Sequence, residues 1–300
     1  MASIRLLLVY DVEGWACHTE CKAIRLHLER CAPGRFSIAM LRAGSAYDKR
    51  LFDIVFSTIY YHLPDAAHPR SVSQVSSYSY WIRKEADGGA WPQLKQWKYM
   101  IAKNTHIASI LTPDDHPRIT KLYHALDYRH WQPRRPTHRD PSVFTIGFAG
   151  HQQDLKGLKL IKQAIAGLDG VRLLAPTWES NRIPQDQMPG LYSSLDAYVC
   201  MSRPGHDAGP RPPMEAALCG VPIITTRAGQ IGEMIEDGVN GLVIERTVEA
   251  AADAVSKLKS DVQLRKRLAQ NVRRSLMDEW VFSVGQQWTD YMLNVMSIQQ

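Results

Sequence analysis

The chain has 300 residues, 45% hydrophobic and 22% charged, with a formal net charge of +6. At about 150 residues per domain this predicts two domains, and the balance excludes a disordered or fibrous chain. The longest strongly apolar run, Ile4–Tyr10, meets Asp11 and Glu13 at once, well short of the ~20 residues of a membrane span and with no small-residue cleavage site behind it. The five cysteines (Cys17, Cys21, Cys31, Cys200, Cys219) form an odd, sparse set, which is no disulfide framework; the expectation is a cytoplasmic protein with no transmembrane segment.

Ile4–Tyr10 reads as a strand buried on both faces of a parallel sheet, because its apolar run does not alternate. A turn over Asp11–Ala16 leads to a helix predicted over His18–Cys31, with Cys21, Ile24, Leu28 and Cys31 on one face. Phe36–Met40 and Phe52–Ser57 read as strands, Ser71–Tyr80 has no clear period, Pro92–Lys103 reads as a helix and Ile107–Leu111 as a strand. Trp131–Pro141 packs prolines and arginines with no apolar period, which predicts a linker. Beyond it strands are expected at Val143–Ala149, Val171–Leu174, Ala197–Met201, Val221–Thr225 and Gly241–Ile244. Helices are expected at Leu158–Leu168, Gln187–Leu195, Pro213–Cys219, Ile231–Ile235, Val248–Lys259 and Val262–Met277. Trp288, Tyr291, Met292, Val295 and Met296 then form the stripe of one last helix. Strands alternating with helices imply βαβ units and parallel sheets. The reading is an α/β chain of two Rossmann-like, doubly wound domains: residues 1–133, residues 134–285, and a C-terminal helix over 286–300 packing back across the cleft between them.

Two loops of the second half carry residue types suited to an anionic ligand. Gly150-His151 and Lys156-Gly157 precede a helix, where tight turns, free N–H groups and a cation suit a phosphate. A second loop runs from Arg203 through Asp207, Gly209 and Pro210 into a helix holding Glu215. Carboxylates at the mouth of a sheet can accept hydrogen bonds from vicinal hydroxyls. Neither a G-x-G-x-x-G fingerprint nor a G-x-x-x-x-G-K-[ST] loop is present, which argues against a nicotinamide oxidoreductase and a P-loop nucleotidase. Asp114-Asp115 stands apart from these loops, and Cys17-His-Thr-Glu-Cys21 has no second cysteine pair to complete a zinc site, so no metal is expected.

The stretch Pro212–Val243 resembles the nucleotide-binding half of the family-4 retaining glycosyltransferases (glycosyl transferases group 1), which have the GT-B fold. The resemblance also takes in Gly150-His151…Lys156-Gly157 and His124-Ala-Leu-Asp127…Trp131-Gln-Pro133. It implies a nucleotide-diphosphate sugar as donor substrate, with no permanently bound cofactor. It implies that Glu215 holds the ribose hydroxyls, Asp207 the hydroxyls of the transferred sugar, and Lys156 the diphosphate, with Gly150 in the same loop. Gly209 then lies in the loop whose N–H groups meet sugar and phosphate, Arg182 lies near the loop around the base, and Gly14 resembles a glycine that approaches the diphosphate from the first domain. Asp207 replaces a glutamate, His151 replaces an arginine whose charge it matches only when protonated, and Pro210 removes a backbone donor. Asp207, Lys156 and His151 are therefore the expected catalytic residues.

The acceptor falls to the first half, where 20 Lys and Arg face 13 Asp and Glu over residues 1–140, a surplus of +7; residues 141–300 carry −1. Tyr60, Tyr61, Tyr78, Tyr80, Trp81, Trp91, Trp97 and Tyr99 interleave there with Arg70, Arg83, Lys84, Lys95 and Lys98. Aromatics with cations suit a polyanion such as hydroxymethylated phage DNA. They equally suit an anionic lipid or glycan, lipid-linked or of the cell envelope. An inactive nucleotide-sugar-binding protein is the third reading. The oligomeric state is left open.

Overall fold

The computed structural model describes residues 2–75, 91–110, 118–136, 140–177 and 179–298, with 91, 92 and 110 described by their backbone. The chain divides into two compact units, residues 1–127 with 281–300 and residues 128–280. Each is built on one parallel sheet. No helix among the described residues is long and apolar enough to cross a membrane.

In the first unit β1 (Ile4–Tyr10), β2 (Phe36–Arg42), β3 (Ile54–Ser57), β4 (Ser71–Val75), β5 (Tyr99–Ala102) and β6 (Ile119–Lys121) form a sheet in the order β2-β1-β3-β4-β5-β6. Leu6, Leu7, Leu8 and Val9 are all buried. Successive strand residues point to opposite faces, so both faces of β1 are covered. α1 (Ala16–Cys31) buries Cys21, Ile24 and Leu28, while Cys31 is only half-buried. In the chain the short helix α2 (Leu63–Ala66) lies between β3 and β4.

Residues 92–111 depart from the sequence reading. The helix α3 covers only Trp91–Leu94, and Tyr99–Ala102 is a strand buried along its whole length between β4 and β6. In place of a strand at Ile107–Leu111 stands the helix α4 (Thr105–Ile110). The cause is Asn104, whose side chain accepts from the Ile107 N–H at 2.7 Å and so satisfies one of the free donors that open a helix. Ser71–Val75 pairs as β4 because its hydroxyls find partners, Ser73 donating to the Ser57 carbonyl at 2.9 Å. Residues 76–80 of that stretch lie outside the described residues. Residues 111–117 also lie outside the described residues.

The second unit orders β7 (Phe144–Gly147), β8 (Val171–Leu174), β9 (Ala197–Cys200), β10 (Ile223–Thr225) and β11 (Leu242–Val243) as β11-β10-β9-β7-β8. Its helices are α5 (Leu158–Ile165), α6 (Met188–Ser193), α7 (Arg211–Leu218), α8 (Gly229–Met234), α9 (Val248–Ser260) and α10 (Val262–Ser275). Phe144, Ile146, Val199 and Ile224 from the strands pack with Leu158, Ile161, Val255, Leu258 and Leu268 from the helices in one core. The Pro/Arg-rich stretch is partly anchored in this unit. Trp131 is 1% exposed and packs on Tyr192, centroids 5.8 Å apart, and the Arg134 N–H donates to Ser193 Oγ. After a π-helical turn at Leu276–Val281, α11 (Phe282–Ser297) returns to the first unit.

Candidate functional site

The loops that leave β7 and β9 bring Lys156, Asp207 and Gly209 together in the second unit. After β7 the chain turns at Gly150, φ +137°, passes a 3-10 turn at Asp154–Lys156 and enters α5 through Gly157, φ +77°. Only glycine suits this last position. Its backbone is left-handed, and an added Cβ would lie 2.5 Å from the Met201 carbonyl oxygen. Lys156 then reaches Asp207, Nζ donating to Oδ2 at 2.5 Å, with 24% and 9% of the two side chains exposed. Asp207 Oδ1 accepts from the Gly209 N–H at 3.3 Å. The backbone behind Asp207 is fixed by α8: the Gln230 N–H donates to the Ala208 carbonyl, and an added Cβ on Gly229 would meet the Asp207 carbonyl oxygen at 2.3 Å.

Glu215 lies within α7, 5% exposed. Tyr192 from α6 donates its hydroxyl to Oε2 at 3.2 Å, and Arg211 Nε stands 3.6 Å from Oε1, one turn earlier on the same helix. Burial raises the pKa of this carboxyl above the ordinary glutamate value, against the opposing pull of Arg211 and the Tyr192 hydroxyl. The same burial, with Glu215 beside it, pushes the Tyr192 phenol well up. Tyr192 and Arg211 were missed from sequence. Arg211 carries a readable signal, i−4 from Glu215 on one helix face. Tyr192 lies 23 residues away in sequence with no pattern to mark it.

The other expected residues stand as follows. His151 pairs with Glu179, Nδ1 to Oε1 at 3.2 Å, both half-exposed. Arg182 is exposed beside Asn181, whose φ is +54°. Gly14 belongs to the first unit and turns at φ +77°, donating its N–H to His18 Nδ1 at 2.8 Å. His18 is stacked on Tyr10, and burial lowers its pKa, with Lys22 adding to the effect and Glu13 opposing it. Nδ1 therefore accepts and the ring is held neutral. In the aromatic stretch Trp97 is core rather than surface. It is 1% exposed, and its indole N–H donates to the Tyr60 carbonyl at 2.7 Å, because burying an indole requires a partner for its one polar group. Tyr60 and Tyr99 are buried too, whereas Tyr61, Lys95 and Lys98 are exposed. Tyr78, Tyr80, Trp81, Arg83 and Lys84 and the side chain of Trp91 lie outside the described residues.

Residues 148–275 match the family model described as Glycosyl transferases group 1, the segment that contains Gly150, Lys156, Asp207 and Glu215. YtcC of Bacillus subtilis (strain 168), whose name assigns it to the glycosyltransferases, is 31% identical over 103 residues, 34% of this chain and 25% of YtcC. Spore coat protein SA of the same organism is 36% identical over 93 residues, 30% of this chain and 24% of that protein. The chain thus matches about a quarter of the length of these relatives. Among solved structures, sucrose-phosphate synthase from Thermosynechococcus elongatus superposes with a TM-score of 0.75 at 12% identity, covering 98% of this chain and 99% of that one. Anabaena HepE in complex with UDP and glucose gives 0.69 at 15% identity, covering 97% and 100%. Two parallel α/β units and neighbours of this kind define the architecture: the chain has the GT-B fold, and its residues 148–275 match the glycosyl transferases group 1 model.

Proposed function

We propose that this chain is a retaining glycosyltransferase of family 4, moving a sugar from a nucleotide-diphosphate sugar to a hydroxyl acceptor. The observation that carries the reading is the Lys156–Asp207 pair, set at 2.5 Å beyond the carboxyl ends of β7 and β9, where open α/β sheets bind their ligands. In this reading the diphosphate takes Lys156 from Asp207 as its partner, and Asp207 turns to the hydroxyls of the sugar. Glu215, held by Tyr192 and Arg211, receives the ribose hydroxyls. As the bond between the sugar C1 and the diphosphate oxygen breaks, the negative charge left on the diphosphate meets Lys156 and the loop N–H groups. This is the preorganised stabilisation that serves such leaving groups. A uridine nucleotide is the first donor to try, because HepE was crystallised with UDP-glucose.

Metal-independence belongs to the same reading, since Lys156 supplies the charge that a divalent ion would otherwise bring. The surplus of +7 over residues 1–140 favours an anionic acceptor, with Lys95 and Lys98 exposed to meet it. The test measures nucleotide release and sugar transfer from UDP-sugars in EDTA. Wild type is active there, and Lys156→Ala and Glu215→Gln each lose at least ~10-fold, the scale of one charge-assisted contact. Wild-type rates in both folded variants, or activity that returns only with Mg²⁺ or Mn²⁺, contradict the assignment.

A further inference from the structure

One arginine spans the two donor loops from a third segment of the second unit. Residues 244–247 join β11 to α9, and the Ile244 N–H donates to the Thr225 carbonyl at 2.8 Å, which fixes the segment against the end of β10. From it the Arg246 side chain donates twice, Nε to the Met201 carbonyl at 2.9 Å and Nη2 to the Asp154 carbonyl at 2.5 Å. Met201 is the first residue after β9, on the path to Asp207, and Asp154 opens the turn that carries Lys156. Arg246 is 45 residues from one carbonyl and 92 from the other along the chain, and all three belong to the same compact unit.

The Asp154 carbonyl also accepts the Gly157 N–H at 3.0 Å, the bond that closes the turn just after Lys156. A carbonyl oxygen has two lone pairs and takes both donors. Arg203, two residues beyond Met201, adds a second tie: its N–H donates to the Leu155 carbonyl at 2.8 Å and its Nη2 to Asp154 Oδ2 at 2.9 Å. That ion pair is exposed, and exposed pairs contribute little. Arg246 is half-buried, so water competes less for its bonds. Helix capping does not account for it, because the N-cap of α9 is Thr247, whose hydroxyl accepts from the Ala250 N–H. Nε and Nη2 lie on one edge of a planar guanidinium, so the fork fixes the spacing of the two carbonyls as well as joining them. The single flexible ammonium of a lysine fixes no such spacing.

Resting on the reading above in which Lys156 meets the diphosphate, we propose that Arg246 is a positioning residue for donor binding. It holds the Lys156 turn and the strand exit that leads to Asp207 in one register, so that the ammonium already stands where the diphosphate needs it. Arg246 touches no substrate in this role and acts through Asp154 and Met201. Its effect falls on the diphosphate and not on the ribose, which Glu215 holds. A misplacement of about 1 Å in a preorganised site costs up to about 100-fold, so a fork that sets this spacing bears directly on the preference for a nucleoside diphosphate over a monophosphate.

The experiment titrates the full chain with UDP and with UMP by calorimetry in EDTA. It compares wild type, Arg246→Met, Arg246→Lys, Lys156→Ala and the double variant Lys156→Ala with Arg246→Met. Methionine keeps an apolar stem and removes the fork. Wild type binds UDP more tightly than UMP. Arg246→Met lowers that ratio about 10-fold, the scale of one charge-assisted contact, with UMP affinity unchanged, and Arg246→Lys lowers it too. In the Lys156→Ala background the same change leaves the ratio where Lys156→Ala alone puts it, because residues that act through one another are not additive. A wild-type ratio in Arg246→Met, equal losses for UDP and UMP, or the same loss with and without Lys156 overturns the proposal. Where Arg246→Met does not fold, Arg246→Lys, alone and with Lys156→Ala, is read by the same criteria. A wild type with no preference for UDP rejects the donor reading instead, and amide hydrogen exchange then decides. Support is exchange at least ~10-fold faster at Lys156 and Gly157 in the Arg246 variant with Val199 of β9 unchanged, and wild-type exchange at both overturns the proposal.

Discussion

Lys103 and Glu20 lie in the core of the first unit, 0% and 1% exposed, where a charge survives only with partners. Lys103 Nζ donates to Glu20 Oε1 at 2.9 Å, His124 Nδ1 meets the same oxygen at 2.9 Å, and Gln74 donates to Oε2 at 3.0 Å. The ammonium also sits 4.4 Å from the Trp288 ring centroid, a distance at which cation and ring attract. Breaking one side of such a pair leaves the other charge buried and alone. Lys103→Met is therefore expected to cost about 3–5 kcal/mol, and Lys103→Met with Glu20→Gln to recover most of it. Urea unfolding of both variants checks this, and a single variant as stable as wild type contradicts it. Nothing in the sequence joins these residues into one cluster, because they are spread from residue 20 to residue 124. Lys156, Asp207 and Glu215 are singled out in the sequence through the resemblance of their loops, and the structure brings Lys156 and Asp207 into contact.

At the scale of elements, α1, β1 and the strands of the second unit follow their apolar patterns, since burial on one or both faces is what those patterns encode. The helix that replaces the expected strand at Ile107–Leu111 arises where one capping side chain, Asn104, outweighs an apolar run. The packing of α11 on α1 shows another local rule overridden. Gly285 sits within α11, where alanine would ordinarily be favoured by about 1 kcal/mol. Here an added Cβ would lie 2.2 Å from His27 Nδ1. His27 cannot give way easily, because its Nε2 is bound to the Leu126 carbonyl at 2.9 Å, and burial, the largest influence on it, lowers its pKa. Gly285→Ala is expected to destabilise the protein by about 1–3 kcal/mol, as overpacking does, visible as a lower urea midpoint. A more stable variant would show that His27 has room to move.

Across the whole molecule, the last helix belongs to the unit that the first residues begin. The composition placed a domain boundary within the proline-rich stretch and another at 285/286. Instead the compact units change at 127/128 and 280/281, because Trp131 is buried against Tyr192 and Trp288 is buried in the first unit, its indole N–H donating to the Tyr123 carbonyl. A chain ending at Trp280 lacks the buried Trp288, Met292 and Val295. Large buried side chains are worth roughly 1.5–3 kcal/mol each, so the first unit is expected to lose its cooperative transition. The residues of the donor loops all lie within 128–280, so that truncated chain is expected to keep its nucleotide affinity. Loss of binding together with loss of α11 would place part of the nucleotide contact outside the second unit.

The donor assignment is tested most directly by calorimetric titration of the full chain with UDP in the presence of EDTA. The account predicts one UDP bound per chain, with Lys156→Ala and Glu215→Gln each weakening it at least ~10-fold, equivalent to about 1.4 kcal/mol per contact. A wild-type chain that binds no UDP, or variants at Lys156 and Glu215 that bind as wild type does, would contradict it.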